Sequence, residues 1–360
     1  MTTPTKPIKP ILEYEPDELM GYLSAAGWPR YRVGQLRRWI FARKTAEPAK
    51  MTDLSKECRT RLGGLFATTC QGEETSLYSG KLITVTESAD GTRKILLQWP
   101  DAQRVEAVLL RDDRDHRTAC VSTQVGCAMR CAFCASGLDG FVRNLTRGEI
   151  LEQLLRLNAL LPPTERLTHI VVMGMGEPTL NLDALIPALA EATSSDGLDI
   201  GNRRVTISTV GRPDGIRKMA AMNLPYKLAV SLHAPDDDVR DTIMPSNRGW
   251  GIDAVISAAD AYFTATGRRV TYEYILLQGI NDSPDQARRL AKRLNHKTAI
   301  VNLIPYNPVA GLPFRAPDDN AVVRFTRTLE GEGIQVKVRF RKGDAIDAAC
   351  GQLRRRMADG

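Results

Sequence analysis

A chain of 360 residues, 43% apolar and 25% charged, has material for about two globular domains and an ordinary soluble composition. The N-terminal stretch MTTPTKPIKPILEYEPDEL lacks an apolar core of signal-peptide length, and no apolar run reaches the ~18 residues of a membrane span, so the expected compartment is the cytoplasm. The net charge of +7 and pI near 9.1 admit a polyanionic partner such as RNA without proving one.

Residues 1–100 read as an accessory region with helical patterns at 17–26, 33–43 and 54–65. Pro16 and Asp17 suit a helix start and Gly27 a stop. Two apolar alternations follow, at 82–87 and 94–99, joined by Asp90-Gly91, which signals a hairpin. From about 101 the pattern becomes strand then helix, six times. Strands end near 120–124, 169–173, 205–209, 228–232, 272–277 and 300–304; helices follow at 147–160, 183–192, 214–222, 252–265, 284–294 and 319–329. Six such units predict an α/β fold with a parallel sheet, curved or doubly wound, whose ligands gather at the carboxyl ends of the strands.

Four of the seven cysteines lie between Cys120 and Cys134. Cytosolic thiols stay reduced, so this cluster points to metal or catalysis. Cys127, Cys131 and Cys134 form a Cys-x3-Cys-x2-Cys loop after a strand. Three thiolates can hold three irons of a four-iron cubane and leave the fourth open to chelate S-adenosylmethionine (SAM). Phe133 would shield such a cluster from water. The alternative is a structural zinc site with His116 or Cys120 as fourth ligand, although only one Cys-x2-Cys pair is present. Cys58 and Cys70 read as inert thiols.

The cysteine motif resembles that of the radical-SAM superfamily. The longer string TACVSTQVGCAMRCAFCASG…GFVRNLT is similar to the RlmN/Cfr family of RNA adenine methyltransferases. The resemblance runs from YRVGQLRRWIF through MTDLSK, GMGEP, RRVTISTVG, AVSLHA and IPYNP to GDAIDAACGQL. It implies an open, partial (β/α)6 TIM-like barrel over residues 101–342, the accessory domain before it, and a mobile tail, 343–360, carrying a methyl-acceptor cysteine. It also implies that Gly176, Glu177, Ser208, Ser231, Leu232, His233 and Asn307 bind SAM. The residues speak partly for themselves: two glycines in GMGEP let a ligand approach the backbone, and Ser208, Ser231, His233 and Asn307 stand at or near successive strand ends. On its residues alone, His233 reads as a satisfied histidine beside a strand.

Cys120 lies seven residues before Cys127, outside its loop, and Cys350 sits in the small-residue segment DAIDAACGQL. The resemblance implies why two further cysteines are needed. An adenine carbon flanked by nitrogens is electrophilic and resists a methyl cation equivalent. One SAM methylates Cys350; a second, cleaved reductively, yields a radical that activates the S-methyl group for addition to the ring. Cys120 then attacks Cys350, forming a transient disulfide and freeing the product. Cys120 or Glu106 removes the ring proton; Glu106 otherwise reads as a solvated strand glutamate.

From Leu19 to Ala46 there is no acidic residue, while Arg30, Arg32, Arg37, Arg38, Arg43 and Lys44 alternate with Trp28, Tyr31, Trp39 and Phe41. That mixture suits phosphate contact and base stacking, or a solvated helix face over a core. Arg143, Asn144, Arg147 and Arg354–Arg356 are further RNA candidates. The implied activity is methylation of adenine carbon 2 in the peptidyl-transferase centre of 23S rRNA before full ribosome assembly, and of the tRNA adenine 3′ of the anticodon. The implied agent is a monomer served by a donor such as flavodoxin. The RNLT and AACGQL strings and the full accessory domain favour carbon 2 over carbon 8; a zinc-stabilised RNA-binding protein is the rival from another class. Ser246 and Val210 depart from the family pattern near the expected substrate side.

Overall fold

A computed structural model describes residues 8–294, 299–339 and 346–354. The chain opens with helices α1 (Pro16–Ala25), α2 (Arg30–Phe41) and α3 (Lys56–Leu65) and a short ribbon, β1 (Thr69–Gln71) with β2 (Glu74–Ser76). Strands β3 (Lys81–Glu87), β4 (Arg93–Gln98) and β5 (Arg104–Arg111) meander antiparallel onto β6 (Arg117–Cys120). A second ribbon, β7 (Gln124–Gly126) with β8 (Phe141–Asn144), brackets the cysteine loop. Alternation follows: α4 (Arg147–Ala159), β9 (His169–Val172), α5 (Leu182–Thr193), β10 (Val205–Thr209), α6 (Pro213–Ala221), β11 (Lys227–Ser231) and α7 (Asp237–Ile243). The series ends with α8 (Ile252–Thr266), β12 (Val270–Leu276), α9 (Pro284–Leu294), β13 (Ile300–Pro305), α10 (Asp319–Gly331) and β14 (Gln335–Val338).

Among the described residues one ten-stranded sheet runs in the order β14-β13-β12-β11-β10-β9-β6-β5-β4-β3. All pairings from β6 through β14 are parallel. The local causes are plain. Leu228, Ala229 and Val230 of β11 are all fully buried, as in a strand covered on both faces. Helix α9 buries Ala287, Leu290, Ala291 and Leu294, one face at i, i+3, i+4 and i+7. Thr146 and Glu149 close a capping box that starts α4. Side chains of β6, β9, β10 and β13 line one cavity of about 370 Å³, so the sheet wraps round its interior as an open partial barrel.

The six predicted strands are β6 and β9–β13. Two expectations need correction. The 82–99 hairpin, assigned to the accessory region, is laddered to β5 (Ile95 opposite Ala107, Leu97 opposite Val105) and extends the barrel sheet, because β4 buries Ile95, Leu96 and Leu97 there. Helix α7 escaped prediction because its seven residues include three aspartates and show no apolar period. Among the described residues no helix is long and apolar enough to cross a membrane.

The segment that leads into β3 is held to α4 by buried polar bonds. Glu152 of α4 accepts from the amides of Ser79 and Gly80 and pairs with Arg156 at 2.8 Å, and Arg156 donates to the Gly80 carbonyl. Both side chains are buried. Glu152→Ala strands a buried guanidinium and should cost about 3–5 kcal/mol, read as a lower denaturant midpoint.

Candidate active site

The cysteine loop is positioned by the end of β6. Gln153 pins Ser122 through both its amide nitrogen (2.8 Å) and its carbonyl (3.1 Å). Ser122 Oγ in turn accepts from the Met175 amide at 2.9 Å. GMGEP lies directly against this exit: a Cβ on Gly174 would sit 2.7 Å from the Val121 carbonyl, and one on Gly176, whose φ is +104°, 2.6 Å from Gln124 Cβ. Both positions therefore require glycine. The amide of Cys127 donates to Gly140 and that of Ala132 to Ile243, so β8 and α7 hold the loop from two sides.

Cys127, Cys131 and Cys134 line one cavity of about 150 Å³. Phe133 is buried with Ile243, Met244 and Ile275 behind them. Burial pushes the Cys127 thiol up to about 12. It raises Cys134, and lifts Cys131 well above the ordinary range, the neighbouring Cys134 and Cys127 adding to the effect there. Three such thiols become thiolates together only with a compensating cation. Among the described residues no three Cys, His, Asp or Glu side chains close on a single-ion position; a cubane instead takes each thiolate on its own iron. His116 is bonded to Asp112 at 2.9 Å, and it and Cys120 line the larger, inner cavity, so neither joins the three cysteines as a fourth zinc ligand. The donor set fits a four-iron cluster with one open iron.

The same small cavity collects Gly176, Glu177, Ser208, Ser231 and His233 from the ends of successive strands. The Glu177 carboxylate is already engaged, by Thr209 Oγ1 at 2.7 Å and the Val210 amide at 2.9 Å, so it ties GMGEP to β10 and leaves the backbone to face a ligand. His233 holds a left-handed φ of +60° and accepts at Nδ1 from the Ile275 amide. Burial, then the nearby Arg240, pushes it down to about 3, so it is neutral, with its proton on Nε2. Leu232 is buried and off the cavity, its amide donating to Glu273 O at 3.0 Å and its carbonyl accepting from Arg240 Nε at 2.9 Å. Asn307 lines the inner cavity instead, where its Oδ1 is buried without a hydrogen bond among the described residues. Val210 packs against the apolar cluster that contains Phe133, which accounts for an apolar residue there.

Cys350 lines both cavities and Cys120 the inner one. The tail was expected to be mobile; its described part, 346–354, is docked. Gly351 O accepts from the Ala135 amide at 2.8 Å, Leu353 O from Ser136 Oγ at 2.7 Å, and Gln352 donates to Pro308. Glu106 is not solvated: it is 1% exposed, pairs with Lys94 at 3.0 Å and accepts the Arg354 amide at 2.9 Å. Lys94 also donates to Asp347 O. In this arrangement Glu106 latches the tail and lines neither cavity. The sequence reading missed Lys94, Arg240 and Arg339. A lone basic residue carries no spacing signal, and the contacts that place these three are made across separate elements: Lys94 with Glu106, Arg240 with Asn247 and the Val210 carbonyl, and Arg339 with Glu273 and Cys350.

The basic N-terminal region divides. Trp28, Trp39 and Phe41 are core. Arg37 is paired with Glu191 at 2.5 Å, Lys44 donates to carbonyls at 161, 162 and 165, and Arg147 donates to Tyr14 O at 3.1 Å. Arg143 is paired with Asp101 and Glu149. Those residues build the accessory–barrel contact or the cysteine ribbon. Arg30, Tyr31 and Arg38 stay exposed on α2 and Arg43 stacks over Trp39 at its end. Arg354 reaches Asp139 at 3.4 Å, while Arg355 and Arg356 lie outside the described residues.

Comparison with known proteins agrees with this arrangement. Residues 121–291 match the radical SAM superfamily and residues 10–67 the N-terminal domain of a ribosomal RNA large subunit methyltransferase. A probable dual-specificity RNA methyltransferase RlmN of Rhodopirellula baltica is 51% identical over 97% of this chain and 91% of its own. One from Symbiobacterium thermophilum is 43% identical over 94% and 90%. The crystal structure of a radical SAM methyltransferase from Sphaerobacter thermophilus superposes with a TM-score of 0.90 at 38% identity, covering 97% of this chain and 99% of that one. With both domains matched and relatives this similar over nearly its whole length, the chain belongs to the RlmN family of radical-SAM RNA methyltransferases, enzymes that work with a [4Fe-4S] cluster and S-adenosylmethionine.

Proposed function

We propose that this protein methylates carbon 2 of an adenine in the peptidyl-transferase centre of 23S rRNA, before the ribosome is fully assembled, and the tRNA adenine 3′ of the anticodon. It does so as a cytoplasmic monomer supplied with electrons by a flavodoxin-type donor. The observation that carries the reading is the position of Cys350 on the common wall of two cavities, with the cysteine triad on one and Cys120 on the other. A carrier that must meet first a methyl donor and then an RNA base belongs on such a wall.

Cys127, Cys131 and Cys134 would hold the cluster, and Gly176, Ser208, Ser231 and His233 would orient SAM beside it, with Leu232 holding the backbone between the last two. Bound there, the cluster supplies the electron that cleaves SAM into a hydrogen-abstracting radical. Phe133 excludes water from that side. The His233 Nε2–H is a fixed neutral donor for a ligand oxygen. Cys350 accepts the methyl group and, once that carbon is bonded to the base, is bound to RNA by a thioether. Cys120, giving up its proton, ends this state by attacking the Cys350 sulfur: the disulfide forms as the bond from that sulfur to the base-linked carbon breaks, and that carbon keeps the electron pair and takes a proton to become the methyl group. Incubating purified enzyme with 23S rRNA and tRNA, then mapping methylated nucleotides by mass spectrometry, tests the assignment; methyl only at carbon 8, or on neither RNA, overturns it.

The exposed side of α2 is the RNA-facing surface of the accessory domain in this reading. Arg30→Ala with Arg38→Ala removes two surface charges that have no ion-pair partner among the described residues and leaves the Arg37–Glu191 pair intact. RNA should bind more weakly, with the slope of log affinity against log salt reduced by about 1.5–2. An unchanged slope in a salt titration counts against this surface.

A further inference from the structure

The inner cavity of about 370 Å³ has two unlike ends. Cys120 and Cys350 lie at one. At the other, parallel strands begin: His116 precedes β6, His169 opens β9, Arg204 precedes β10 and Lys227 opens β11, and all four line the cavity. From His116 to Cys120 the chain advances about 13 Å at the rise of a strand. Arg204 and Lys227 are exposed, and His116 and His169 half-buried, so this end is a mouth open to solvent. The volume falls in the class that encloses one small ligand, about 300–1,000 Å³.

The mouth is positive. Arg111 also lines it, but Glu165 pairs with that side chain at 2.6 Å, and Asp112 holds His116 at 2.9 Å. Arg204 and Lys227 have no ion-pair or hydrogen-bond partner for their side chains among the described residues. Both are felt at His169, which burial, then His116, Arg204 and Lys227, push down to about 4. Like charges gathered round one opening repel each other and favour an anion placed between them. The same charges disfavour a metal cation on the two imidazoles, whose ring centroids lie 4.3 Å apart. The mouth also lies on the accessory-domain side. Lys44, just past α2, donates to the carbonyls of Leu161, Pro162 and Glu165 in the loop that leads into β9, and Glu165 is the partner of Arg111. We propose that Arg204 and Lys227 form a phosphate-binding subsite that grips the backbone of the RNA substrate at this mouth, while one nucleotide extends inward toward Cys350 and Cys120. This rests on the reading of those two cysteines as the methylating pair. The subsite positions RNA and reads no sequence, since a phosphate carries none. The nucleotide it admits must leave its stack to reach the cysteines.

The test is RNA binding by anaerobic, cluster-loaded enzyme, with transcribed 23S rRNA and tRNA as probes. Arg204→Ala with Lys227→Ala should weaken binding about 25- to 60-fold at 0.1 M salt and reduce the slope of log affinity against log salt by about 1.4–1.8, as expected for two lost phosphate contacts. Arg204→Lys with Lys227→Arg keeps both charges and should keep the slope. Acetylation footprinting of the wild type reads the same contact without any variant: bound RNA should protect Lys227 and leave Lys218, on α6, reactive. Inorganic phosphate at equal ionic strength should protect Lys227 far less than RNA does. An unchanged slope in a natively melting alanine variant, a charge-keeping variant that loses the slope, Lys227 unprotected by RNA, or phosphate protecting as well as RNA overturns the proposal. Mapping methyl groups on the same RNAs separates this from the reading beneath it. RNA that protects Lys227 yet gains no methyl group leaves the subsite standing and sinks the cysteine reading; RNA that is methylated with Lys227 unprotected does the reverse.

Discussion

Expressed in cells, Cys120→Ala should accumulate covalently joined to RNA through Cys350, whereas Cys350→Ala should carry neither RNA nor methyl. The two thiols are unequal in their surroundings. Cys350 is exposed and beside a guanidinium. Cys120 is buried, and burial, reinforced by Cys350 and opposed by Arg339, pushes its thiol up to about 12. In the proposed scheme Cys120 stays protonated while Cys350 reacts with SAM, and it then breaks the thioether. Without it the adduct has no exit. Without Cys350 the adduct never forms. Turnover should fall to near zero in both, since each loses a whole chemical step. Intact-mass and nuclease-treated peptide analysis separates the two failures. A Cys120→Ala protein free of RNA, or a Cys350→Ala protein that still methylates, would falsify the two-cysteine scheme.

Replacing any one of Cys127, Cys131 and Cys134 by alanine should abolish the cluster and every reaction that depends on it. Anaerobically reconstituted wild-type protein should be brown, with about four irons and four sulfides per chain. Cys131→Ala should be pale and should not cleave SAM, while keeping the fold: the loop is also held by β8 and α7, and Phe133 packs against Ile243 and Met244 independently of metal. A wild-type protein that binds one zinc and stays colourless would restore the zinc reading. Iron, sulfide and zinc analysis on the same sample decides between them.

The signals that were legible in the sequence are local. The Cys-x3-Cys-x2-Cys spacing, the two glycines of GMGEP and the six strand–helix units each depend on residues within a few positions of one another. Chain geometry alone brings them together, so the triad and most of the predicted SAM residues do line one cavity. The basic α2 segment was legible only in part. A count of arginines cannot tell Arg38, which faces solvent, from Arg37, which is paired with Glu191 more than 150 positions along the chain.

By itself, then, the sequence determined the six strand–helix units, the cysteine spacing and the two extra cysteines, because backbone preference and thiol spacing are written in consecutive residues. Tertiary structure alone decided that the 82–99 hairpin extends the barrel sheet, since strand pairing answers to an open edge and not to a domain boundary. It alone placed Glu106, read from the sequence as a base for the ring proton or else a solvated strand residue, as a buried latch, because Lys94 and the Arg354 amide reach it from β4 and from a tail 248 positions away. It alone brought Arg339 to within 3.9 Å of Cys350. A buried charge is tolerated only where distant strands supply its partners, and which strands do so is set by the packing of the whole barrel.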